Sequence, residues 1–274
     1  MGKIILLNTP IGNLGDLTPR VLDALTNGST FAVEDTRVFK DLLSLMGISL
    51  QGKRIMSLHD QSATQEVEKL IELAESQDLY VASEAGSPII SDPAYPLVKE
   101  AIKRGIKIES FSGVSSPVMA LELSGLPPLP FQFHGFLPRE TAKKINAFAN
   151  AGYGTHIFFE APTRIEETLD ILAETLPQVE VCVVRELSKK FEQVMRFKSD
   201  LWKEHQSELT VKGEFILMFH QSESQKSSSS SLVKLSEEIL KEGATPKAIS
   251  KLLSEILDRP SKEIYTELEQ KKRR

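Results

Sequence analysis

Short apolar runs that alternate with helical patterns shape the first half of this sequence. The runs cover residues 4–7, 31–33, 79–82 and 106–111, and segments with helical periodicity separate them. This alternation is typical of strand–helix–strand units, so it predicts an α/β fold with a parallel sheet. Two helix starts carry a capping side chain before a proline, and we expect helices to begin at Pro19, after Thr18, and at Pro93, after Asp92.

A second series of elements follows the proline-rich segment 126–130. We expect strands at residues 131–134, 155–159, 179–184, 193–197 and 214–219, with helices near residues 139–151 and 163–176. Polar and apolar residues alternate from Gln193 to Phe197, which favours an antiparallel strand with one buried face. The sequence therefore predicts two domains, a first over residues 1–117 and a second over residues 118–221.

The C-terminal segment differs from the rest in composition and charge. Residues 222–231 are polar and serine-rich, so we expect a flexible linker. Residues 232–274 show three short helical patterns with breaks between them, which is typical of a helix-turn-helix-like appendage. The appendage has ten Lys and Arg against eight Asp and Glu, a net charge of +2, which leaves −7 for residues 1–231. Attraction for nucleic acid is therefore expected to be local, although the appendage could instead pack on the body or on a partner subunit.

The composition narrows the class of protein further. The chain has 274 residues, 41% of them hydrophobic and 26% charged, with a mean hydropathy of −0.16, as in globular rather than membrane or disordered proteins. A lone cysteine, Cys182, excludes an intramolecular disulfide, and the five histidines lack metal-ligand spacing, so we expect no metal site. The first apolar run is too short for a signal peptide, and we expect a cytoplasmic protein without a membrane anchor.

Three loops rich in small residues follow predicted strands of the first half, at residues 8–18, 82–93 and 110–117. Gly12 lets the backbone approach a ligand, and the hydroxyls and amides of Ser115 and Ser116 can meet a ribose or a carboxylate. None of the loops has a dinucleotide fingerprint or a P-loop, and each alone is equally compatible with an ordinary turn. Because the carboxyl ends of parallel strands lie at one edge of a sheet, we expect the three loops to form one crevice.

Charged residues also cluster where strands are expected to end. Glu34, Asp35 and Arg37 follow the second strand, an arrangement suited to a general base or a polar substrate. Asp35 or Thr36 could instead cap the next helix. His59, beside Asp60, is a second candidate base, with a turn histidine as the alternative.

The second half offers basic residues that could bind phosphate groups. Arg139, Lys143 and Lys144 are predicted to form a basic stripe on one helix, and the same pattern fits a solvated helix face. Glu160 and Arg164 lie after a predicted strand, where surface ion pairs are the alternative interpretation.

Ten ordered motifs make the sequence similar to a known family. They read NTPIGNLGDLT, VEDTR, LHD, SEAGSPIISDPAYPLV, SGVSS, SGLP, FHGFLP, FFEAPTR, VVRELSKKFE and KGE. In this order they resemble the tetrapyrrole-methylase superfamily of class III S-adenosylmethionine enzymes. Within it they look most like the family of small-subunit ribosomal RNA cytidine 2′-O-methyltransferases. The resemblance covers nearly the whole chain and implies two αβα domains with the cofactor cleft between them, usually in a homodimer.

The resemblance also implies roles for individual residues. Pro10 would form the floor of the cleft, and the loop from Glu84 through Ala85 and Gly86 to Ile89 would contact the methionine part of the cofactor. Ser115 and Ser116 would lie near its adenosine, with Phe159 and Leu187 closing over it. The acceptor side would be formed by Glu34, Asp35, Arg37, Glu160 and Arg164.

Three departures from the family pattern fall in the cofactor half. The family usually has Asp-Ala-Gly-Thr-Pro where this chain has Glu84 to Pro88, a glycine at Ala94, and Pro-Gly-Pro at Ser112 to Val114. These changes concern cofactor affinity more than the fold, and they leave room for a divergent paralogue.

The resemblance predicts S-adenosylmethionine-dependent methylation of the ribose 2′-hydroxyl of a decoding-centre cytidine in small-subunit ribosomal RNA. Asp35 or Glu34 would act as base or orienter, and Arg37 or Arg164 would hold phosphates. The basic stripe and the basic C-terminal residues would attract the RNA or the ribosomal subunit. The alternatives are a small-molecule methylase with a tetrapyrrole-like acceptor and a non-catalytic RNA-binding paralogue.

Overall fold

The computed structural model describes residues 2–59, 64–90, 93–222, 244–257 and 260–272. Its first sheet is fully parallel, with strand order β3-β2-β4-β1-β5. The strands are β1 (Lys3–Leu7), β2 (Thr30–Val33), β3 (Arg54–Ser57), β4 (Leu79–Ala82) and β5 (Lys107–Phe111). The four strands expected from apolar runs are confirmed, and the edge strand β3, which is half-buried at most, is an addition.

Helices cover both faces of this sheet. They are α1 (Pro19–Asn27), α2 (Thr36–Leu45), α3 (Thr64–Ser76) and α4 (Tyr95–Lys103). Ile5 and Leu7 of β1 pack with α1 and α2, whereas Ile4 and Leu6 pack with α3 and α4. A strand buried on both faces has to be apolar throughout, which explains the continuous runs in the sequence.

The two predicted helix starts have different outcomes. Helix α1 begins at Pro19 as predicted, and the Thr18 hydroxyl accepts a hydrogen bond from the Val21 N–H at 3.4 Å. The start predicted at Pro93 is wrong, because α4 begins at Tyr95 with Pro96 in its first turn. In a helix that began at Pro93, Pro96 would occupy the fourth position, where an N–H is needed for the first intrahelical bond. The predicted cap, Asp92, lies outside the described residues.

The second sheet is mixed, with strand order β6-β7-β10-β8-β9. Its strands are β6 (Phe131–Phe136), β7 (Gly154–Glu160), β8 (Glu180–Arg185), β9 (Gln193–Lys198) and β10 (Phe215–Gln221). Strand β9 pairs antiparallel with β8, which confirms the interpretation of its alternating pattern. The associated helices are α5 (Ser116–Ser124), α6 (Thr141–Ala149), α7 (Ile165–Thr175) and the short α8 (Trp202–His205).

Helices also cover both faces of the second sheet. Ala120 and Leu121 of α5 pack with Cys182 and Met218 on one face, and α6 and α7 pack on the other through a core that includes Phe148. Burial raises the pKa of the Cys182 thiol to about 11, so this thiol is an inert core group. The α/β class is confirmed, while the domain boundary at residue 117 stays a prediction.

The described residues within 1–151 and 155–220 form one compact unit, and those within 152–154 and 221–274 form another. The smaller unit contains α9 (Pro246–Leu257) and α10 (Ser261–Lys272), which pack through Ile249, Leu253, Ile264 and Leu268. The predicted linker at 223–231 and the first predicted helix of the appendage lie outside the described residues. Within the described part of the chain, no helix has the length and apolar character needed to cross a membrane.

Candidate functional site

The loops after β1, β4 and β5 meet at the carboxyl edge of the first sheet, as the sequence predicts. Thr9 and Gly86 exchange two backbone hydrogen bonds, with N···O distances of 2.9 and 3.0 Å, which join the first two loops. The Asn8 amide donates to the Phe111 carbonyl at 2.6 Å and connects the first loop to the end of β5. Gly86 has φ +76°, a left-handed conformation that favours glycine, so its identity is required for this junction.

These loops form one side of a cavity of about 450 Å³, a volume within the range of small-molecule sites. The second sheet and its loops form the other side, so the cavity lies inside the larger unit. Most of the wall is apolar, and it contains four carboxylates, those of Glu34, Glu84, Glu160 and Glu214. The lining residues are Ile11, Glu34, Glu84, Ala85, Ile90, Ser116, Phe136, Phe159, Glu160, Ala161, Pro162, Val184, Leu187, Gly213, Glu214, Phe215 and Ile216.

The first-sheet side of the cavity is electronegative. Burial raises the pKa of the Glu84 carboxyl, and the charges of Glu34 and Asp35 raise it further. Carboxylates that repel one another are stabilised by a cation placed between them. This side of the cavity therefore favours a positively charged ligand.

Asp35 caps a helix rather than lining the cavity. Its carboxylate accepts a hydrogen bond from the Arg37 N–H at 2.7 Å at the start of α2 and pairs with the Arg37 guanidinium at 2.8 Å. These contacts hold the pKa of the Asp35 carboxyl well below its usual range, which makes it a weak base. Of the three predicted catalytic residues, only Glu34 lines the cavity. The cap is Asp35 and not Thr36.

Glu160 lies at the cavity wall with its carboxylate fully engaged inside the protein. It is 2% exposed and accepts hydrogen bonds from the Ala161 N–H, the Arg164 Nε and the Thr168 hydroxyl at 2.7, 2.9 and 2.7 Å. Its acceptor capacity is therefore used by its own neighbours. Glu160 thereby orients the Arg164 side chain, and its contact with a substrate stays a prediction.

The predicted basic stripe on α6 is wrong for Lys144. This residue has no exposed surface, because it faces α7, where its ammonium lies 3.4 Å from Glu167 and 4.0 Å from Glu160. Arg139 and Lys143 are exposed, and Lys143 pairs with Glu140 at 2.8 Å. Of the predicted stripe, only Arg139 and Lys143 remain available to a phosphate.

A strained loop after β8 completes the cavity from the second sheet. Leu187 lines the cavity between two residues with left-handed backbone, Glu186 (φ 51°) and Ser188 (φ 63°). The Lys189 ammonium bridges the Glu186 and Glu214 carboxylates at 3.2 and 2.9 Å. A Cβ on Gly12 would lie 2.3 Å from the Lys189 side chain, so Gly12 makes room for this loop. Non-glycine residues with positive φ concentrate at functional sites.

The structure brings half of the predicted cofactor residues to the cavity wall: Glu84, Ala85, Ser116, Phe159 and Leu187. The others, Pro10, Gly12, Gly86, Ile89 and Ser115, belong to the same loops and do not line the wall. Sequence reasoning missed Ile11, Ile90 and Phe136, although all three fall inside motifs that it used. It also missed Val184, which falls inside a further motif that it used, and Phe215 and Ile216, which carry no signal beyond that of core residues. His59 is exposed and does not line the cavity, and Asp60 lies outside the described residues.

The sequence that forms this fold matches a known family of methylases. Residues 3–200 match the sequence model of the family described as Tetrapyrrole (Corrin/Porphyrin) Methylases, and the chain belongs to this family.

Within it, the chain is similar to proteins named Ribosomal RNA small subunit methyltransferase I. The protein of this name from Halalkalibacterium halodurans is 38% identical over 220 residues, which cover 79% of this chain and 75% of the relative. The one from Xylella fastidiosa is 34% identical over 270 residues, 96% of this chain and 98% of the relative.

Solved structures share the fold at low sequence identity. A diphthine synthase has a TM-score of 0.60 and 14% identity over 81% of this chain and 90% of its own. A uroporphyrin-III C-methyl transferase from Thermus thermophilus, complexed with S-adenyl homocysteine, has a TM-score of 0.53 and 15% identity over 80% and 98%.

Proposed function

We propose that this protein is an S-adenosylmethionine-dependent methyltransferase of small-subunit ribosomal RNA. At finer detail, we propose that it methylates the ribose 2′-hydroxyl of a decoding-centre cytidine, acts as a homodimer and works in the cytoplasm. The electronegative cavity is the observation that carries the proposal, together with family membership and the names of relatives that match nearly the whole chain.

The residues of the cavity fit this cofactor. S-adenosylmethionine carries a methyl group on a positively charged sulfonium, and bound there it would supply that methyl group for transfer. Glu34 and Glu84 give this side of the cavity the charge that a sulfonium and an ammonium require. Phe159 and Leu187 offer an apolar wall for an adenine ring, and the Ser116 hydroxyl can hydrogen-bond to a polar edge.

Glu34 is our candidate for the general base. A ribose hydroxyl is a poor nucleophile until a base accepts its proton, and such a base must reach the reacting oxygen. Glu34 lines the cavity, whereas Asp35 is engaged by Arg37 and binds protons too weakly. Arg164, held by Glu160, and Arg37 are candidates for binding the flanking phosphates. Alignment of the hydroxyl in the cavity can supply about 7–11 kcal/mol of the rate enhancement.

The proposal is tested by methyl transfer to purified small ribosomal subunits and to the naked RNA, with the methylated nucleotide mapped by nuclease digestion and mass spectrometry. Glu34→Gln should lower the single-turnover rate at saturating S-adenosylmethionine by about 10²–10⁴-fold. Glu72→Gln, on the exposed surface of α3, is the matched control and should retain the wild-type rate. A fully active Glu34→Gln variant would remove Glu34 from the role of base.

The same assay separates the alternatives. Calorimetry could show that the protein binds S-adenosylmethionine while it transfers a methyl group to neither RNA substrate. That result would contradict the proposed activity and favour an RNA-binding or small-molecule role. Methylation of a base rather than a ribose would overturn the 2′-hydroxyl assignment and leave ribosomal RNA methylation intact.

A further inference from the structure

Phe136 is a large apolar side chain that stays exposed at the cavity wall. It lines the cavity and is 60% exposed. Its ring meets the ring of Phe159 edge-on, with centroids 5.3 Å apart and planes at 63°. An edge-on contact through one side fixes the ring while leaving ring surface open to a partner.

An irregularity in β6 turns Phe136 toward the cavity. Phe133 also meets Phe159 edge-on, at 4.9 Å, although it lies three residues before Phe136. In a regular strand, residues three apart point to opposite faces of the sheet. The pairing of β6 with β7 shifts between Phe133 and Phe136, and Gly135 has φ +72°, so the bulge returns Phe136 to the face of Phe133. Bulges that redirect a side chain are frequent beside active sites.

The surroundings of Phe136 suit a nucleobase rather than another apolar chain. The carboxylates Glu34 and Glu84 lie on the first-sheet side of the same cavity, and the exposed cation Arg139 follows three residues after Phe136. Proteins hold unstacked RNA bases by placing them against exposed aromatic rings, with cations nearby for the phosphates.

We infer that Phe136 is the stacking platform for the base of the nucleotide that the protein methylates. This inference rests on the proposed function and makes Phe136 a residue that recognises the RNA acceptor, not the methyl donor. Stacking on Phe136 places the attached ribose in the cavity opposite the carboxylates of the first sheet.

Phe136→Leu should lower kcat/KM for the small-subunit RNA by about 5- to 150-fold, the range of fold-changes that loss of base stacking produces. The Kd for S-adenosylmethionine should stay within about twofold of wild type. Phe136→Tyr, which keeps an aromatic ring, should retain most of the activity. Phe191→Leu is the matched control, because Phe191 is 64% exposed and does not line the cavity. Melting temperatures of all variants verify that they fold.

A second readout does not depend on turnover. An RNA fragment with fluorescent pyrrolocytosine at the methylated position should be quenched by wild type and by Phe136→Tyr, and clearly less by Phe136→Leu. Equal quenching by Phe136→Leu, or a loss confined to S-adenosylmethionine binding, would overturn the inference. Absence of methyl transfer by the wild-type protein would instead overturn the proposed function, and the fluorescence comparison still decides the stacking.

Discussion

At the scale of single residues, the Lys144–Glu160 pair shows how a charged side chain can be part of a core. Both side chains are fully buried, and Glu160 also binds Arg164 and Thr168. A buried ammonium is tolerated only if negative charge and hydrogen bonds surround it. The pair therefore joins the end of β7 to α6 and α7 beside the cavity.

Glu160→Gln should destabilise the protein by about 3–5 kcal/mol, because Lys144 would stay buried with only the contact to Glu167. Adding Lys144→Met should recover at least about 1 kcal/mol, since the double variant no longer buries an unpaired charge. Urea unfolding measures both. Glu140→Gln is the control, because its pair with Lys143 is exposed, and it should change stability by less than about 0.5 kcal/mol. If the single and double variants were equally unstable, the buried charge would not be the cause.

At the scale of elements, the sequence predicts those that are buried on both faces. Strands β1, β2 and β4 contain continuous apolar runs because helices pack on both sides of them, and Leu79–Ala82 matches its prediction to the residue. The edge strand β5 was also predicted, although it contains the polar residues Lys107, Glu109 and Ser110. Strand β3 was not predicted because its edge position leaves Arg54 and Ser57 exposed and removes the apolar run. Lys144 was placed on the surface because composition alone does not reveal the acidic neighbours that compensate its charge.

The candidate site divides in the same way. The loops after β1, β4 and β5 are predictable because the positive φ at Gly86 and the close backbone contacts require small residues, and a sequence shows small residues directly. The opposite wall of the cavity could not be predicted. Its residues Val184, Phe215 and Ile216 lie at strand ends and look like core residues in the sequence. The orientation of Phe136 toward the cavity depends on the bulge in β6. A bulge is a property of strand pairing, which composition does not reveal.

The loop after β4 should make cofactor binding depend on pH. The pKa of Glu84 is raised by burial and by neighbouring carboxylates, and a bound cation should lower it again. S-adenosylmethionine should therefore bind most tightly above this pKa and weaken as the pH falls through it and Glu84 becomes protonated. Calorimetry at pH values from about 7.5 to about 5, which approach the ordinary range of a carboxyl pKa from above, measures the change.

Glu84→Gln tests the assignment of this pH dependence. The variant should bind S-adenosylmethionine more weakly at pH 7.5 by at least about fivefold, the effect of about 1 kcal/mol of charge attraction. It should also lose most of the pH dependence, whereas Glu72→Gln should keep both affinity and pH dependence. A Glu84→Gln variant with the wild-type pH profile would assign the titration to another group.

At the scale of the whole molecule, charge is divided unevenly between the body and the C-terminal segment. Residues 1–231 carry a net charge of −7 and residues 232–274 carry +2, so a polyanion is repelled by most of the surface. The cavity itself is electronegative, which suits a cationic cofactor and opposes phosphate groups. Binding of ribosomal RNA by such a protein requires cations that act locally, and α9 and α10 expose Lys247, Lys251 and Lys262.

Replacing these three lysines with glutamine in the full-length chain should weaken RNA binding and flatten its salt dependence. Each phosphate contact contributes about 0.7 to 0.9 to the slope of log K against log salt concentration, so the slope should fall by up to about 2 to 3. The slope is obtained from the affinity for small-subunit RNA, measured by fluorescence anisotropy at salt concentrations from about 50 to about 200 mM. Over this range the affinity of a protein that contacts several phosphates changes strongly. The matched control replaces Lys69, Lys99 and Lys103, which are exposed on α3 and α4. Their replacement with glutamine removes the same formal charge. If both triple variants flattened the slope equally, net charge would explain the effect. If neither did, phosphate binding would have to come from residues such as the exposed Arg139 and Lys143, and the C-terminal helices would serve another purpose.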